Sequence, residues 1–430
     1  RSPHHGQVLD VFIQIGQIAQ IAPSITAPNA TTHVIQGEQL HISTGWFDLR
    51  ATSKEPGHEY VEDFQSLANA AAAGGFTQLA VLPNTSPVVQ SKQSIALFNY
   101  FNTQSLVDLL PIAAVTKDTK GTDFTEMLDL NQAGAVAFSD GHSPLWNADI
   151  FLKTLQYLYP TGKVLMNQPT EASLSLFGQM HEGITSTLLG MKGIPNAAEE
   201  LMLLRDLKLL EYANITSDLP ILHFSTISTA EGLQLIREAK QKGLPISCDI
   251  AAHQLSFIDE DLADFDTNLK VNPPFRSEKD RVALLNGLLD GTIDAVVSDH
   301  HPQDEEAKKL EFDQAENGII SLQTSFSALQ TLEKIPLEKI IHLLTDGPRR
   351  ILRQPIPRLE VGAPAHLTLF EPESSYLFTE EHILSKAKNS PFMPIKRAEA
   401  ATWFVETAGI LKQSCIYEVS KNPACQIKDI

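Results

Sequence analysis

From Trp46 onward, short apolar runs alternate with longer amphipathic stretches in a regular beat. The runs are "WFDLR", "QLAVLPN", "LLPIAAV", "AVAFSD", "KVLMNQ", "LPILHFST", "LPISCDI" and "IDAVVSDHH". Each is short, apolar and closed by polar or turn-forming residues, which reads as a strand buried on both faces. Helix-like segments such as "VEDFQSLANAAAAGG" and "RVALLNGLLDG" lie between them. The best-marked helix starts at "STAEGLQLIREAKQKG". There Ser228 and Glu231 have the spacing of a capping box, Leu233, Ile236, Ala239 and Lys240 follow at helical intervals, and Gly243 closes the segment as a C′ residue. Eight strands alternating with helices over about 300 residues is the count of an α/β fold closed as a (β/α)8 TIM barrel. An open, doubly wound sheet is the alternative, but no G-x-G-x-x-G follows an early strand.

The flanks have a different grammar. "VLDVFIQIGQIAQIAP" and "THVIQGEQLHIS" at the start, and "VGAPAHLTLFEP" and "ATWFVETAGILK" near the end, are strand-like runs broken by glycine, without a helical period. The expected division is residues 1–45, a barrel over 46–355, and residues 356–430, with the two ends pairing into one small β-domain.

Composition narrows the function classes. Of 430 residues, 33 are Lys or Arg and 52 are Asp or Glu, a net charge of −19 that argues against nucleic acid or an anionic membrane as main partner. No run of 18 apolar residues and no signal peptide is visible, so a cytoplasmic protein is expected. The start at "RSPHHG", without Met, points to a processed or truncated end rather than a targeting signal. Cys248, Cys415 and Cys425 form no CxxC pair, so neither a disulfide framework nor a zinc ribbon is indicated.

In a barrel of this kind chemistry sits at the C-terminal ends of the strands. In order those ends offer Arg50 and Thr52, Asn84, Asp140, Asn167 and Gln168, His223 and Thr226, His253 and Gln254, then Asp299, His300 and His301. The spacing D-x-R-x-T-x-K-E-P-G over Asp48–Gly57 resembles the D-x-H-x-H-x-R-E-P-G signature of dihydroorotases, members of the amidohydrolase superfamily. "LPNTSP", "AVAFSDGHSP", "HEGITSTLLGMKGIPNAAEE", "NLKVNPPFRSEKDRVALLNGLLDGTIDAVVSDHHPQ" and "SKAKNSPF" are similar to further family motifs in the same order, over nearly the whole chain. The resemblance implies that the terminal segments form the superfamily's small β-sandwich.

It also implies a zinc-bound hydroxide that attacks a ring amide. Yet the H-x-H positions hold Arg50 and Thr52, and the two later histidine positions hold Gln168 and Thr226, leaving Asp140 and Asp299 as residual family ligands. Two carboxylates beside a permanent cation make a poor zinc site. No metal or other cofactor is therefore expected, and Arg50 is expected to bridge one or both carboxylates. Asp299 also holds the family's catalytic position, here expected to be non-functional. Lys54, Asn84 and Asn272 match substrate-binding positions, and Gln303 replaces a family histidine; the set leaves room for a small anionic ligand.

Plainer readings stand beside these. Asp299 could only cap the strand-eight loop by bonding backbone amides, Asp140 could be a turn residue before Gly141, Lys54 could be a solvated lysine, and "DEEAKKLEFD" reads as a solvated charged loop. A substitute metal site from His300, His301, His253 or His223 is disfavoured, because adjacent strand residues point apart. Two functions remain open. One is a catalytically inactive homologue, a homodimer serving as structural or regulatory partner of aspartate transcarbamoylase in pyrimidine biosynthesis, as the resemblance to metal-less relatives implies. The other is an active dihydroorotase, or a related cyclic amide or imide hydrolase, with an atypical zinc site.

Overall fold

The computed structural model describes residues 3–393 except 28–33, 36, 38 and 333, and beyond 393 the backbone of four short strands. The barrel strands are β1 (Trp46–Ala51), β2 (Phe76–Val81), β3 (Asp108–Ala113), β4 (Ala137–Phe138), β5 (Leu165–Asn167), β6 (Leu222–Phe224), β7 (Ile246–Ala251) and β8 (Ala295–Val297). They pair in parallel in sequence order, one strand from each of the eight apolar runs. A bridge between Ala51 and His300, with Thr52 N donating to His300 O at 2.8 Å, joins β8 back to β1 and closes the cylinder.

Alternation along each strand splits the core in two. Phe47, Leu49, Ala80, Ile112, Met166 and Val297 fill the barrel's interior. Residues one position along, such as Trp46, Leu79, Leu109 and Leu165, pack outward against the helices. The helix Ala230–Gln241 buries Leu233, Ile236 and Ala239, the face its spacing indicated, and Gly243 follows it at φ +81°. Its cap differs from expectation. Thr229, not Ser228, is the N-cap and accepts from Gly232 N at 3.0 Å. Both hydroxyls donate to the buried Glu199 carboxylate, Ser228 at 2.6 Å and Thr229 at 2.7 Å, and Thr229 keeps a lone pair for the helix amide.

The strand His41–Thr44 from the front of the chain pairs antiparallel with His366–Phe370, which pairs with Gly409–Lys412, then Cys415–Glu418 and Lys428–Asp429. Both ends of the chain thus share one sheet. The hairpin Asp10–Gln14/Gln17–Ala22 packs Ile18 against Leu367 and Leu369 of that sheet. Among the described residues no helix is long and apolar enough to cross a membrane.

Candidate functional site

Arg50 projects from β1 into the barrel mouth and is 1% exposed. Its Nε donates to Asp299 Oδ1 at 2.7 Å, and its Nη2 donates to Gln168 Oε1 at 2.9 Å. Gln168 is fixed in turn because its Nε2 donates to the Asn272 carbonyl at 3.1 Å. One guanidinium therefore ties the end of β1 to those of β5 and β8. Burial pushes the Asp299 carboxyl up, and the adjoining guanidinium opposes that shift.

A residue absent from the strand-end reading completes the mouth. His142, in the loop after β4, lies 3.4 Å from Arg50 Nη2 through Nδ1 and 2.9 Å from Thr52 Oγ1 through Nε2. Arginine can only donate, so Nδ1 accepts and the ring proton sits on Nε2, donating to Thr52. His301 stacks on this ring, centroids 4.2 Å apart and planes 11° apart. Burial and the nearby Arg50 and Lys54 hold both imidazoles neutral, well below the usual histidine range. Gln303 braces the same loop by donating from Nε2 to the Asn317 carbonyl at 2.7 Å.

Other expected mouth residues are placed elsewhere. The Asp140 carboxylate is turned to the end of β3, where it accepts from Val115 N at 3.0 Å, Thr116 N at 2.9 Å and the Thr116 hydroxyl. Of the one or both carboxylates that Arg50 is expected to bridge, it holds Asp299 and not Asp140. Asn84 uses both ends of its amide on the 140s loop, donating to Asp140 O and accepting from His142 N, each at 3.1 Å. Gly141 lies between at φ +65°, and a Cβ there would meet Asn84 Oδ1 at 1.7 Å, so only glycine fits. His223 lies beneath the mouth, between Ser247 Oγ at 2.8 Å and Asp249 Oδ2 at 2.7 Å. Asn167 also serves the scaffold, donating to Asp206 at 2.7 Å.

Thr226 holds a left-handed φ of 54° that a β-branched residue rarely adopts. Its amide donates to Asp249 Oδ1 at 2.6 Å and its hydroxyl turns back to Ser225 O. His253 and Gln254 are buried; burial takes the His253 pKa down to about 3, and Gln254 donates to Pro273 O. His300 and His301 diverge as adjacent residues should: His300 Nδ1 accepts from Ser321 N while His301 faces His142. Lys54 is half-buried, which lowers its pKa, with Glu316 and Asp304 acting against that shift. The loop "DEEAKKLEFD" is not wholly solvated. Lys308 is 6% exposed and donates to the Thr267 and Glu316 carbonyls at 2.8 and 2.7 Å, pinning the loop beside the mouth.

Beneath the mouth lies a polar layer that strand-end counting also missed. Asp48 accepts from Ser298 N and Oγ at 2.7 and 2.6 Å, and burial raises its carboxyl to about 7.

A family model described as dihydro-orotase-like matches residues 41–231. A dihydroorotase of Geotalea daltonii is 37% identical over 403 residues, 93% of each chain. One from Pelotomaculum thermopropionicum is 38% identical over 389 residues, 89% of each chain. This chain belongs to the dihydroorotase family. An L-hydantoinase from Arthrobacter aurescens superposes with a TM-score of 0.80 at 19% identity, covering 98% of this chain and 94% of that one. A dihydropyrimidinase from Brevibacillus agri gives 0.76 at 18%, covering 95% and 91%. Both agree on the fold, an amidohydrolase-type barrel.

The family implies zinc at this mouth, and the residues present do not fit it. Among the described residues no three His, Cys, Asp or Glu side chains converge on a point where a metal could sit. The Asp299 oxygen a cation would use is taken by a guanidinium that cannot deprotonate. Thr52 and Gln168 offer only neutral oxygens, and both are already bonded.

Proposed function

We propose that this dihydroorotase-family chain does not hydrolyse dihydroorotate and serves pyrimidine biosynthesis as a structural or regulatory partner of aspartate transcarbamoylase. The observation that carries the silent site is the Arg50 guanidinium on Asp299 and Gln168. Amide hydrolysis in this family's manner needs an ion to lower the pKa of water and polarise a carbonyl. Here that role has no donor set, and Asp299, the one carboxylate at the mouth bonded to Arg50, is neutralised by it. Partnership with the transcarbamoylase rests on likeness to metal-less relatives.

The mouth keeps the electrostatics of an anion site. Arg50 and half-buried Lys54 supply two cations against Asp299, with His142 and His301 neutral between them. A small carboxylate is the ligand this charge pattern suits, held by Lys54 as a point charge rather than a fork.

A dihydroorotate hydrolysis assay on protein supplied with zinc, run beside co-sedimentation with aspartate transcarbamoylase, tests the reading. It predicts no turnover and a mixed complex. Turnover with stoichiometric zinc would establish the other function, a hydrolase with an atypical metal site. Independent sedimentation of the two proteins at all ratios would remove the partnership.

A further inference from the structure

The segment from Asp304 to Asn317 leaves the end of β8 and returns to where it began. One side chain holds both of its ends: Asn389 Oδ1 accepts from Gln303 N at 3.1 Å, and Asn389 Nδ2 donates to Gly318 O and His301 O, each at 3.0 Å. Gln303 Nε2 narrows the neck further by donating to Asn317 O at 2.7 Å. A loop of 14 residues with a pinned neck is an Ω-loop, a form that often serves a functional site. This one stands on the Lys54 side of the mouth. The Asp304 and Glu316 carboxylates lie close enough to support the Lys54 charge, and Lys308 close enough to oppose a charge on His301.

Little apolar surface holds the body of the loop down. Its buried side chains are Lys308, Phe312 and Ala315, while Glu305, Glu306, Lys309, Glu311 and Asp313 face outward. Phe312 packs with Leu269 and Phe275. Two lysines add a reciprocal tie. Lys270, outside the loop, donates to the Phe312 and Asp313 carbonyls at 2.7 and 3.1 Å. Lys308, inside it, donates outward to the Thr267 carbonyl at 2.8 Å and back to the Glu316 carbonyl at 2.7 Å, and Thr267 Oγ1 donates to Lys308 O at 2.7 Å. Those two short bonds use two protons of the Lys308 amine. Its third contact, to Lys270 O at 3.5 Å, is long, and that carbonyl already accepts from Gly318 N at 2.9 Å. A neutral amine carries two protons, so the closed loop does not need the third.

We propose that residues 304–317 form a lid on the mouth, hinged at Asn389 and latched by the Lys308 amine, and that protonating this amine releases the latch. The charges around the amine set the direction. Burial and the neighbouring Lys270 bring the Lys308 pKa down to about 7, with Asp266 and Glu316 pulling the other way. Asp313 and Glu316 support the charge of Lys270, and His301 is held neutral, well below the usual histidine range. In a lid swung outward the amine is hydrated and keeps its proton up to about 10.4, the ordinary lysine value. The open lid therefore binds the proton more tightly than the closed one. Between about pH 7 and 10 each unit of rising pH lowers the open population about tenfold; below about 7 both forms are protonated and the dependence ends. Access controlled in this way is independent of whether the mouth is catalytic.

Hydrogen–deuterium exchange of the full chain, read by mass spectrometry from about pH 6 to about 9 and corrected for the intrinsic rate, tests the lid. Amides of residues 304–317 are expected to exchange faster than those of β1 at every pH, the mark of a local opening. Their protection is expected to be level up to about pH 7 and to rise about tenfold per unit above it. Lys308→Met has no proton to take up there, and whatever its level of protection it is expected to lose the slope. Lys308→Gln, which keeps two amide protons for the same carbonyls, is expected to lose it too. A flat wild-type profile, a slope that persists in both variants, or a loop that exchanges no faster than β1 overturns the assignment.

Discussion

Two buried carboxylates at the ends of strands on opposite sides of the barrel have met the same problem differently. Asp299, after β8, is neutralised by a side chain: the guanidinium of Arg50, from the opposite end of the sequence. Asp140, after β4, is satisfied by hydrogen bonds alone: two backbone amides and the Thr116 hydroxyl at the end of β3. The first arrangement depends on a single residue and places a guanidinium at the mouth, its charge balanced by Asp299. The second is built into the path of the chain and contributes no net cation. The carboxylate that faces the mouth is therefore held by one long side chain, and the one that faces the scaffold by the adjoining β3 end.

The contrast can be broken most sharply at Arg50. Arg50→Met leaves Asp299 buried without a counter-charge, and a loss of about 3–5 kcal/mol is expected by urea denaturation. Pairing it with Asp299→Asn should recover much of that loss, since the cost lies in the orphaned charge. Asp140→Asn should cost less, about 1–3 kcal/mol, because the variant keeps an acceptor oxygen but sets an NH₂ group against amide donors. Arg50→Met should leave that second loss unchanged, as separate networks add.

The neutral imidazoles sharpen the comparison through pH. His142 is held well below its usual range by burial first and Arg50 second. A depressed histidine binds its proton in the unfolded chain before the folded one, so it contributes stability that is complete above the unfolded pKa and falls away as pH drops below about 6.5. His142→Gln should flatten the acid limb of a stability–pH curve by about 1.4 kcal/mol per pH unit, one proton's worth. Asp48 works in the opposite sense. With a folded pKa of about 7, it destabilises at high pH and is relieved as pH falls through neutrality. The Asp48→Asn variant should lose that gain. The smallest effect is expected at Thr226, whose left-handed φ is poorly suited to a β-branched residue. Thr226→Asn should raise stability by up to about 1 kcal/mol, since asparagine tolerates that conformation.

The barrel was legible because each of its strands lies in a short, mostly apolar run closed by polar or turn-forming residues, from Trp46–Ala51 to Ala295–Val297. The substitutions at Arg50, Thr52, Gln168 and Thr226 were legible by their spacing. Direction at a strand end was not. Asp140 and His142 are two residues apart, yet Gly141 bends the loop so that the carboxylate leaves the mouth and the imidazole enters it. Nothing in "FSDGHSP" announces that Asp140 will find amides 24 and 25 positions earlier in the chain. The buried layer of Asp48, His223 and Asp249 was hidden for a related reason: its partners lie on β6, β7 and just beyond β8, brought together only by closure of the barrel.

The central claim is that a guanidinium holds the place of the family's metal. Anomalous diffraction from crystals grown with excess zinc tests it most directly. The account predicts no zinc peak among Arg50, Asp299 and Gln168, with Arg50 Nε still on Asp299. A zinc ion bound to Asp299 and carrying a solvent ligand, with Arg50 swung aside, would contradict it.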